Sequence, residues 1–206
     1  MISIIEYGVG NLFSLRSSLE YLGFGSRLVS DEESLHNSDK IILPGVGAFG
    51  DAAGALVHSG LVSALLEEVR KGVPLLGICV GMQMLFEESF EYGHHEGLGI
   101  LEGGIYPMQN DLTVLGFDYK VPQIGWNALK INDKSSPIVA NTNGGDFMYF
   151  VHSYYAKCRE EYVIAETEYG IRVPAVVGRG NVFGSQFHPE KSGEAGLKFL
   201  RAFCEM

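Results

Sequence analysis

The sequence predicts an α/β protein in which an open, mostly parallel, twisted sheet with flanking helices carries an antiparallel extension in its second half. Through the first ninety residues, short apolar runs without polar alternation are separated by helical patterns. This order is typical of buried parallel strands joined by right-handed crossovers. After about Gly93, glycine and proline become frequent and apolar residues begin to alternate with polar ones. That change favours antiparallel strands.

Three strands and two helices follow from the pattern of the first half. The strands are expected at residues 2–6, 40–43 and 75–78. Residues 11–22 form the first helix, because their leucines recur at helical spacing and Gly23 can end the helix. The second helix is expected at residues 61–71, before Gly72.

The second half predicts mostly antiparallel strands at residues 126–131, 147–155, 162–167 and 175–177. A further strand pattern covers residues 182–190, and a closing helix is expected at residues 193–204. No internal repeat and no linker rich in Pro, Gly and Ser divides the sequence. We therefore expect one domain over residues 1–206, with the second half extending the sheet of the first.

Composition excludes several classes of protein. The 206 residues include 46% hydrophobic side chains, enough to bury a sizeable core and to exclude intrinsic disorder. There are 15 Lys and Arg residues against 25 Asp and Glu residues, giving a net charge of −10, and no run of cations. Nucleic-acid binding is therefore disfavoured, because it needs clustered positive charge.

The sequence also indicates where the protein works. Its three cysteines are an odd number, which disfavours a disulfide framework and suits a reducing compartment. The first apolar run has no preceding Lys or Arg, and no stretch of about 18 apolar residues occurs. We expect a soluble, cytoplasmic protein.

The strongest chemical signal is the segment Gly77-Ile78-Cys79-Val80-Gly81, which follows a predicted strand and precedes a short apolar helix. It has the pattern of a nucleophile elbow with Cys in place of Ser, and the flanking glycines suit a sharp turn that has no room for Cβ atoms. Backbone N–H groups after the turn would face a developing oxyanion. The alternative is that Cys79 is a buried apolar residue, as most free cysteines are.

A thiol nucleophile needs a base, and His188 is the best of the six histidines. Glu190 lies two residues further on, so an extended chain would place the carboxylate on the same side as the imidazole. A carboxylate there can fix the tautomer of the ring. The alternative is a solvated loop histidine beside an unrelated glutamate. No histidine forms a metal-ligand spacing with a second cysteine.

The third signal is the glycine-dense loop at residues 44–50, directly after a predicted strand. Such a loop brings backbone N–H groups close to a ligand at the carboxyl edge of the sheet. It matches neither common nucleotide-binding glycine motif, so an oxyanion-binding strand facing Cys79 is the better interpretation.

Together these segments resemble the class I (triad) glutamine amidotransferases. The resemblance spans the chain and is closest to the glutaminase subunits of imidazole glycerol phosphate synthases, which serve histidine biosynthesis. The segments that carry it are residues 7–11, 44–51, 77–83, 122–127, 150–155 and 188–192.

The resemblance implies a role for each of several residues. It implies a catalytic triad of Cys79, His188 and Glu190, and an oxyanion hole from the backbone of Val46 and Val80. The residues implied to bind glutamine are Gly47, Gln83, Ser153 and Tyr154. Those implied to meet a partner are Asn11, Gln123, Trp126 and Lys191.

The resemblance further implies that no metal or organic cofactor is needed, and that ammonia passes to a cyclase subunit, a (β/α)₈ barrel, within a heterodimer. Three alternatives remain: an amidotransferase subunit of another pathway, a Cys-dependent peptide or ester hydrolase, and a non-catalytic binding module. Gln83 together with the His-Pro-Glu segment favours an amidotransferase over a hydrolase.

Overall fold

The computed structural model describes all 206 residues. The strands are β1 (Ile2–Ile5), β2 (Ser26–Val29), β3 (Lys40–Gly45), β4 (Leu75–Cys79), β5 (Phe86–Ser89), β6 (His95–Glu96), β7 (Leu101–Pro107), β8 (Gln123–Ala128), β9 (Lys130–Ile131), β10 (Phe147–His152), β11 (Tyr154–Cys158), β12 (Val163–Tyr169), β13 (Ile171–Arg179) and β14 (Val182–Ser185). The α-helices are α1 (Leu12–Tyr21), α2 (Glu32–His36), α3 (Phe49–His58), α4 (Val62–Arg70), α5 (Val80–Gln83), α6 (Met108–Val114) and α7 (Gly193–Glu205). Short 3₁₀ segments cover Pro137–Val139, Glu160–Tyr162 and Pro189–Lys191.

An eight-stranded sheet in the order β2-β1-β3-β4-β14-β13-β12-β9 forms the centre of the fold. Its first five strands are parallel and its last pairings are antiparallel. The α/β fold class with a mixed sheet and flanking helices is therefore confirmed. The apolar runs explain the parallel part, because β1, β4 and β14 are buried along their whole length.

The helices complete the core beside this sheet. In α7, the apolar residues recur along one face, and Phe199, Leu200 and Phe203 are fully buried. Phe187, which directly precedes the predicted base, packs edge-on against Phe199 with ring centroids 5.1 Å apart. The closing helix therefore supports the chain segment that carries His188.

The second half does not simply extend the first half's sheet, as the sequence led us to expect. β8 and β10 form a separate two-stranded sheet, and β11 joins β7, β5 and β6 in a four-stranded sheet. The predicted strand at residues 147–155 is broken at Ser153, which separates β10 from β11. β11 joins a different sheet because it pairs with β7, which belongs to a set of strands at residues 86–107. The sequence pattern did not predict these strands.

A further correction concerns the predicted strand at residues 182–190. β14 ends at Ser185, and Glu190 lies in the 3₁₀ segment Pro189–Lys191. The residues after the strand therefore turn instead of running on in an extended conformation.

No single helix is long and apolar enough to cross a membrane; α3 and α4 meet the criteria of length and composition only as a pair bent by 89°.

Candidate active site

Cys79 occupies the sharp turn between β4 and α5, with φ 55° and ψ −112°. A positive φ is strained for a residue with a side chain, and such strain is concentrated at functional sites. A Cβ at Gly81 would clash with the carbonyl oxygen of Leu43, and one at Gly77 would lie 2.6 Å from the carbonyl oxygen of Gly81. The glycines on either side of Cys79 are therefore required by close backbone packing.

The turn leads into a helix of only four residues. Its contribution near the sulfur is consequently a few free N–H groups of the first turn, beginning at Val80, rather than the dipole of a long helix. Gly45, at the end of β3, pairs with Cys79 across the sheet. The loop at residues 44–50 thus begins beside the thiol, on the edge where the parallel strands end.

His188 and Glu190 form a buried pair. The imidazole Nδ1 lies 2.9 Å from Glu190 Oε1, and the two side chains are 4% and 3% exposed. The predicted contact is therefore present, but the reason given for it was wrong, because the chain turns between these residues. The turn is fixed by Ser192, whose hydroxyl donates to the carbonyl oxygen of His188 at 2.6 Å.

The surroundings of His188 favour its protonated form. Burial alone would lower the pKa of His188, but hydrogen bonding to Cys79 and Glu190, together with their charges, raises it to about 9. A histidine with this pKa can hold a proton beside a thiolate at neutral pH. The three side chains can thus act as nucleophile, proton carrier and orienting carboxylate.

A cavity of about 270 Å³ opens beside Cys79 and His188. Nine of the predicted site residues line it: Val46, Gly47, Cys79, Val80, Gln83, Ser153, Tyr154, His188 and Lys191. Three further residues to which the sequence analysis assigned no role also line it: Glu91, Val151 and His152. Glu190 lies behind His188 and is not part of this wall.

Gln83 connects the elbow to the wall of the cavity. Its Nε2 donates to the carbonyl oxygen of Tyr154 and to Gln186 Oε1, both at 3.1 Å. Gln186 Nε2 in turn lies 4.0 Å from the sulfur of Cys79. Gln186 directly follows β14 and lies two residues before His188. No role was assigned to it from the sequence, although it belongs to the segment that carries the histidine.

Glu91 is the one acidic side chain among the residues that line the cavity. Its Oε2 accepts a hydrogen bond from the backbone N–H of Phe49 at 2.6 Å, at the start of α3. This bond joins the loop after β5 to the glycine-dense loop after β3. The sequence carries no signal for it, since Glu91 lies in an irregular loop among several other acids.

His152 ends β10, and its Nδ1 lies 2.9 Å from the carbonyl oxygen of Tyr154. Burial lowers the pKa of His152 to about 4, against the smaller opposing effect of that hydrogen bond. The ring is therefore neutral at neutral pH, with the proton on Nδ1. His152 belongs to the segment at residues 150–155 that carries the family resemblance, but it was not assigned a role.

The four residues predicted to contact a partner differ in how exposed their side chains are. Lys191 and Trp126 are exposed, and Asn11 is half-buried. Gln123 is completely buried, and its Nε2 donates to Asn127 Oδ1 at 2.9 Å. The side chain of Gln123 is thus not exposed on this chain, and its predicted contact with a partner stays a prediction.

Outside the cavity, one cluster resembles a metal site and two further cysteines carry free thiols. His36, Glu67 and Glu68 bring their donor atoms within 4.8 Å of one another, as metal ligands would. However, Lys71 Nζ lies 2.8 Å from both glutamates, so the ammonium group of this chain already pairs with them. Burial raises the pKa of Cys158 to about 11 and that of Cys204 to about 12, so both are poor nucleophiles at neutral pH.

The fold and this site define a class of protein. Residues 3–206 match the family model described as glutamine amidotransferase class-I, and the chain belongs to that family. It superposes on a crystal structure of a glutamine amidotransferase with a TM-score of 0.75 and 22% identity, covering 100% of this chain and 98% of the other. For PurLQS from Thermotoga maritima the TM-score is 0.76 at 21% identity, with 99% and 97% covered.

Its curated relatives are more specific. The chain is 47% identical to the imidazole glycerol phosphate synthase subunit HisH of Caldanaerobacter subterraneus subsp. tengcongensis, over 100% of this chain and 98% of the relative. It is 46% identical to the protein of the same name from Wolinella succinogenes, with 100% of both chains covered. The family resemblance inferred from the sequence is thereby confirmed.

Proposed function

We propose that this chain hydrolyses L-glutamine to glutamate and ammonia, and that it is the glutaminase subunit of an imidazole glycerol phosphate synthase in histidine biosynthesis. The observation that carries the proposal is that Cys79 and His188 line one cavity, with Glu190 bonded to His188 behind it. The full-length likeness to relatives named imidazole glycerol phosphate synthase subunit HisH supports the choice of pathway over a sibling amidotransferase.

In the first half-reaction the thiolate of Cys79 attacks the side-chain carboxamide carbon of glutamine. The C–S bond forms and the carbonyl electrons move to oxygen. When the oxyanion collapses, the C–N bond breaks and the imidazolium of His188 gives its proton to the departing nitrogen, so that ammonia leaves. A γ-glutamyl thioester remains on Cys79.

In the second half-reaction His188, now neutral, takes a proton from water while the water oxygen attacks the thioester. The C–S bond breaks, glutamate leaves, and the thiolate–imidazolium pair is restored. Glu190 keeps the ring oriented in both steps through its bond to Nδ1. We assign the oxyanion hole to the backbone N–H groups of Val80 and Val46, since both residues line the cavity.

The remaining wall residues suit the amino-acid end of glutamine. We assign the binding of the head group to Gly47, Gln83, Ser153 and Tyr154. The substrate also carries an α-ammonium group, which a carboxylate recognises by a charge-assisted hydrogen bond. We assign that role to Glu91, the one acid lining the cavity.

The ammonia is proposed to pass to a cyclase subunit with a (β/α)₈ barrel, in a cytoplasmic heterodimer. A dry passage matters because ammonia in water near neutral pH is mostly protonated and then cannot act as a nucleophile. The partner face is proposed to include Trp126, Lys191 and Asn11. Lys191 lines the cavity and is exposed, so it lies where a partner would meet the mouth of the site.

The test compares three variants in the presence and absence of the candidate cyclase. Cys79→Ser and His188→Ala should lose glutamine-dependent glutamate release and product formation, while ammonium salts should still support product formation by the complex. Cys158→Ser is the matched control and should behave like the wild type. If glutamate is released but no product forms with any candidate cyclase, the chain is a glutaminase of another pathway. If the wild type releases no ammonia either with or without the cyclase, the proposal is refuted.

A further inference from the structure

One of the two carboxylate oxygens of Glu190 has no hydrogen-bond donor. Oε1 accepts from His188, whereas Oε2 is buried and no donor of the chain reaches it. A buried carboxylate oxygen without a donor is costly, and it leaves the carboxylate free to rotate away from the imidazole. The carboxylate that orients the imidazole is therefore held by a hydrogen bond at only one of its two oxygens.

A second, small cavity adjoins this carboxylate. It measures about 10 Å³, and Asn11, His188 and Glu190 are among the residues that line it. Its size is that of about one water molecule. A polar group on its wall can thus interact with the carboxylate across a space that one bridging water would fill.

Asn11 is free to make such a contact. It lies at the start of α1, but its side chain makes no capping hydrogen bond there. Asn11, which makes no capping bond, and Glu190, whose Oε2 has no donor, consequently line the same small cavity. The two groups are complementary, because the amide N–H donates and the carboxylate accepts.

The loop that carries Asn11 is fixed against the site. Tyr7 donates its hydroxyl to the carbonyl oxygen of Pro44 at 2.6 Å. A Cβ at Gly10 would lie 3.0 Å from Pro44 Cβ, and Gly10 has a φ of 122°, so both packing and backbone angle favour glycine. Asn11 is therefore held close to the loop that begins at Pro44.

We infer that Asn11 is a positioning residue that donates to Oε2 of Glu190, directly or through one water, and so fixes His188 for proton transfer. The inference rests on the proposed glutaminase function.

The test uses Asn11→Ala, with Ser14→Ala as control, because Ser14 is the next polar residue of α1 near Glu190 and lines a different cavity with it. Glutaminase kinetics are measured in the complex at saturating cyclase, so that a weakened interface does not enter the result. Asn11→Ala should lower kcat roughly tenfold or more, as expected for loss of a hydrogen bond to a charged group, with KM for glutamine unchanged. Ser14→Ala should leave kcat unchanged.

A double-mutant cycle tests the route through Glu190. In a Glu190→Gln background, Asn11→Ala should have little further effect, because the group that it orients has lost its charge. Additive losses, a wild-type kcat for Asn11→Ala, or a loss seen with Ser14→Ala instead would each overturn the inference. Ammonia-driven synthesis by the Asn11→Ala complex should equal that of the wild type. If the wild-type complex itself releases no glutamate, the proposed function is refuted instead of the role of Asn11.

Discussion

Nδ1 of His188 lies 2.9 Å from Oε1 of Glu190 even though the chain between these residues turns instead of running straight. Lys191 and Ser192 both return hydrogen bonds to the carbonyl oxygen of His188, the first from its backbone N–H at 3.1 Å and the second from its hydroxyl. Ser192 also accepts from the backbone N–H of Tyr149 on β10. The geometry of the pair therefore depends on contacts from a neighbouring sheet.

The first prediction concerns the pH dependence of stability. The pKa of His188 in the folded protein, about 9, is higher than its ordinary value of 6.5, so the folded state holds this proton more tightly. The resulting stability is complete below about pH 6.5 and is lost as the pH rises through about 9. The stability difference between the wild type and His188→Gln should thus shrink over this range.

Urea unfolding of both proteins at intervals from about pH 6 to pH 10 measures that difference. His58→Gln, which replaces an exposed histidine on α3, controls for the general effect of the substitution. A difference that grew with pH would mean that His188 is held neutral in the folded protein, contrary to the proposed ion pair with Cys79.

The second prediction tests the packing of the elbow. Gly81→Ala should destabilise the fold by about 3 kcal/mol or more. The added Cβ would clash with the carbonyl oxygen of Leu43, and the two packed strands and the helix turn around it cannot move freely to relieve the clash. Gly54→Ala is the matched control: it lies in α3 with open space around the added atom, and should be neutral or slightly stabilising. Equal stabilities in thermal unfolding would show that the elbow tolerates a side chain.

The third prediction assigns a measurable role to Glu91. Glu91→Gln keeps an acceptor for the N–H of Phe49 but removes the negative charge. KM for glutamine should rise about tenfold or more, because a charge-assisted hydrogen bond to the α-ammonium group is weakened. Its effect on kcat should be small.

Steady-state kinetics separate these two constants, and Glu88→Gln serves as the control. Glu88 lies three residues earlier, pairs with His94 and does not line the cavity. If KM stayed the same and kcat fell, Glu91 would act through the loop it holds rather than through the substrate.

The fold and the triad were predictable for different physical reasons. Buried parallel strands produce apolar runs that are visible locally, and the elbow requires glycines at fixed spacing around Cys79. The division of the later strands among three sheets was not predictable, because pairing depends on strands distant in sequence. Glu91 was missed since its place in the cavity depends on the fold of an irregular loop.

Strand β8 shows a further limit of pattern analysis. Its apolar residues would be expected to face the core, but Ile124 and Trp126 are 62% and 52% exposed, whereas Gln123 is buried. Polar and apolar side chains still alternate along β8, but the polar ones lie on the buried side of the two-stranded sheet and the apolar ones face solvent. An inverted strand leaves an apolar face uncovered, and that is a signal for an interface rather than for a core.

The fourth prediction follows from that uncovered face. Trp126 and Ile124 of β8 lie opposite Tyr149 and Val151 of β10, and Trp126 packs edge-on against Tyr149 with ring centroids 5.9 Å apart. Val151 also lines the cavity beside Cys79, so the face reaches the site that is proposed to release ammonia. A partner covering this face would bury an exposed tryptophan, the type of residue that most often dominates binding energy.

Trp126→Ala should weaken binding of the cyclase by about 2 kcal/mol or more and uncouple glutamine hydrolysis from product formation. The melting temperature of the isolated chain should change little, because half of the side chain is already in contact with solvent. Calorimetric titration of the cyclase and thermal unfolding of the isolated chain measure the two effects. Val57→Ala, at an exposed apolar position on α3, should alter neither binding nor coupling. Unchanged affinity with a large loss of thermal stability would place the docking face elsewhere and make Trp126 a structural residue of its sheet.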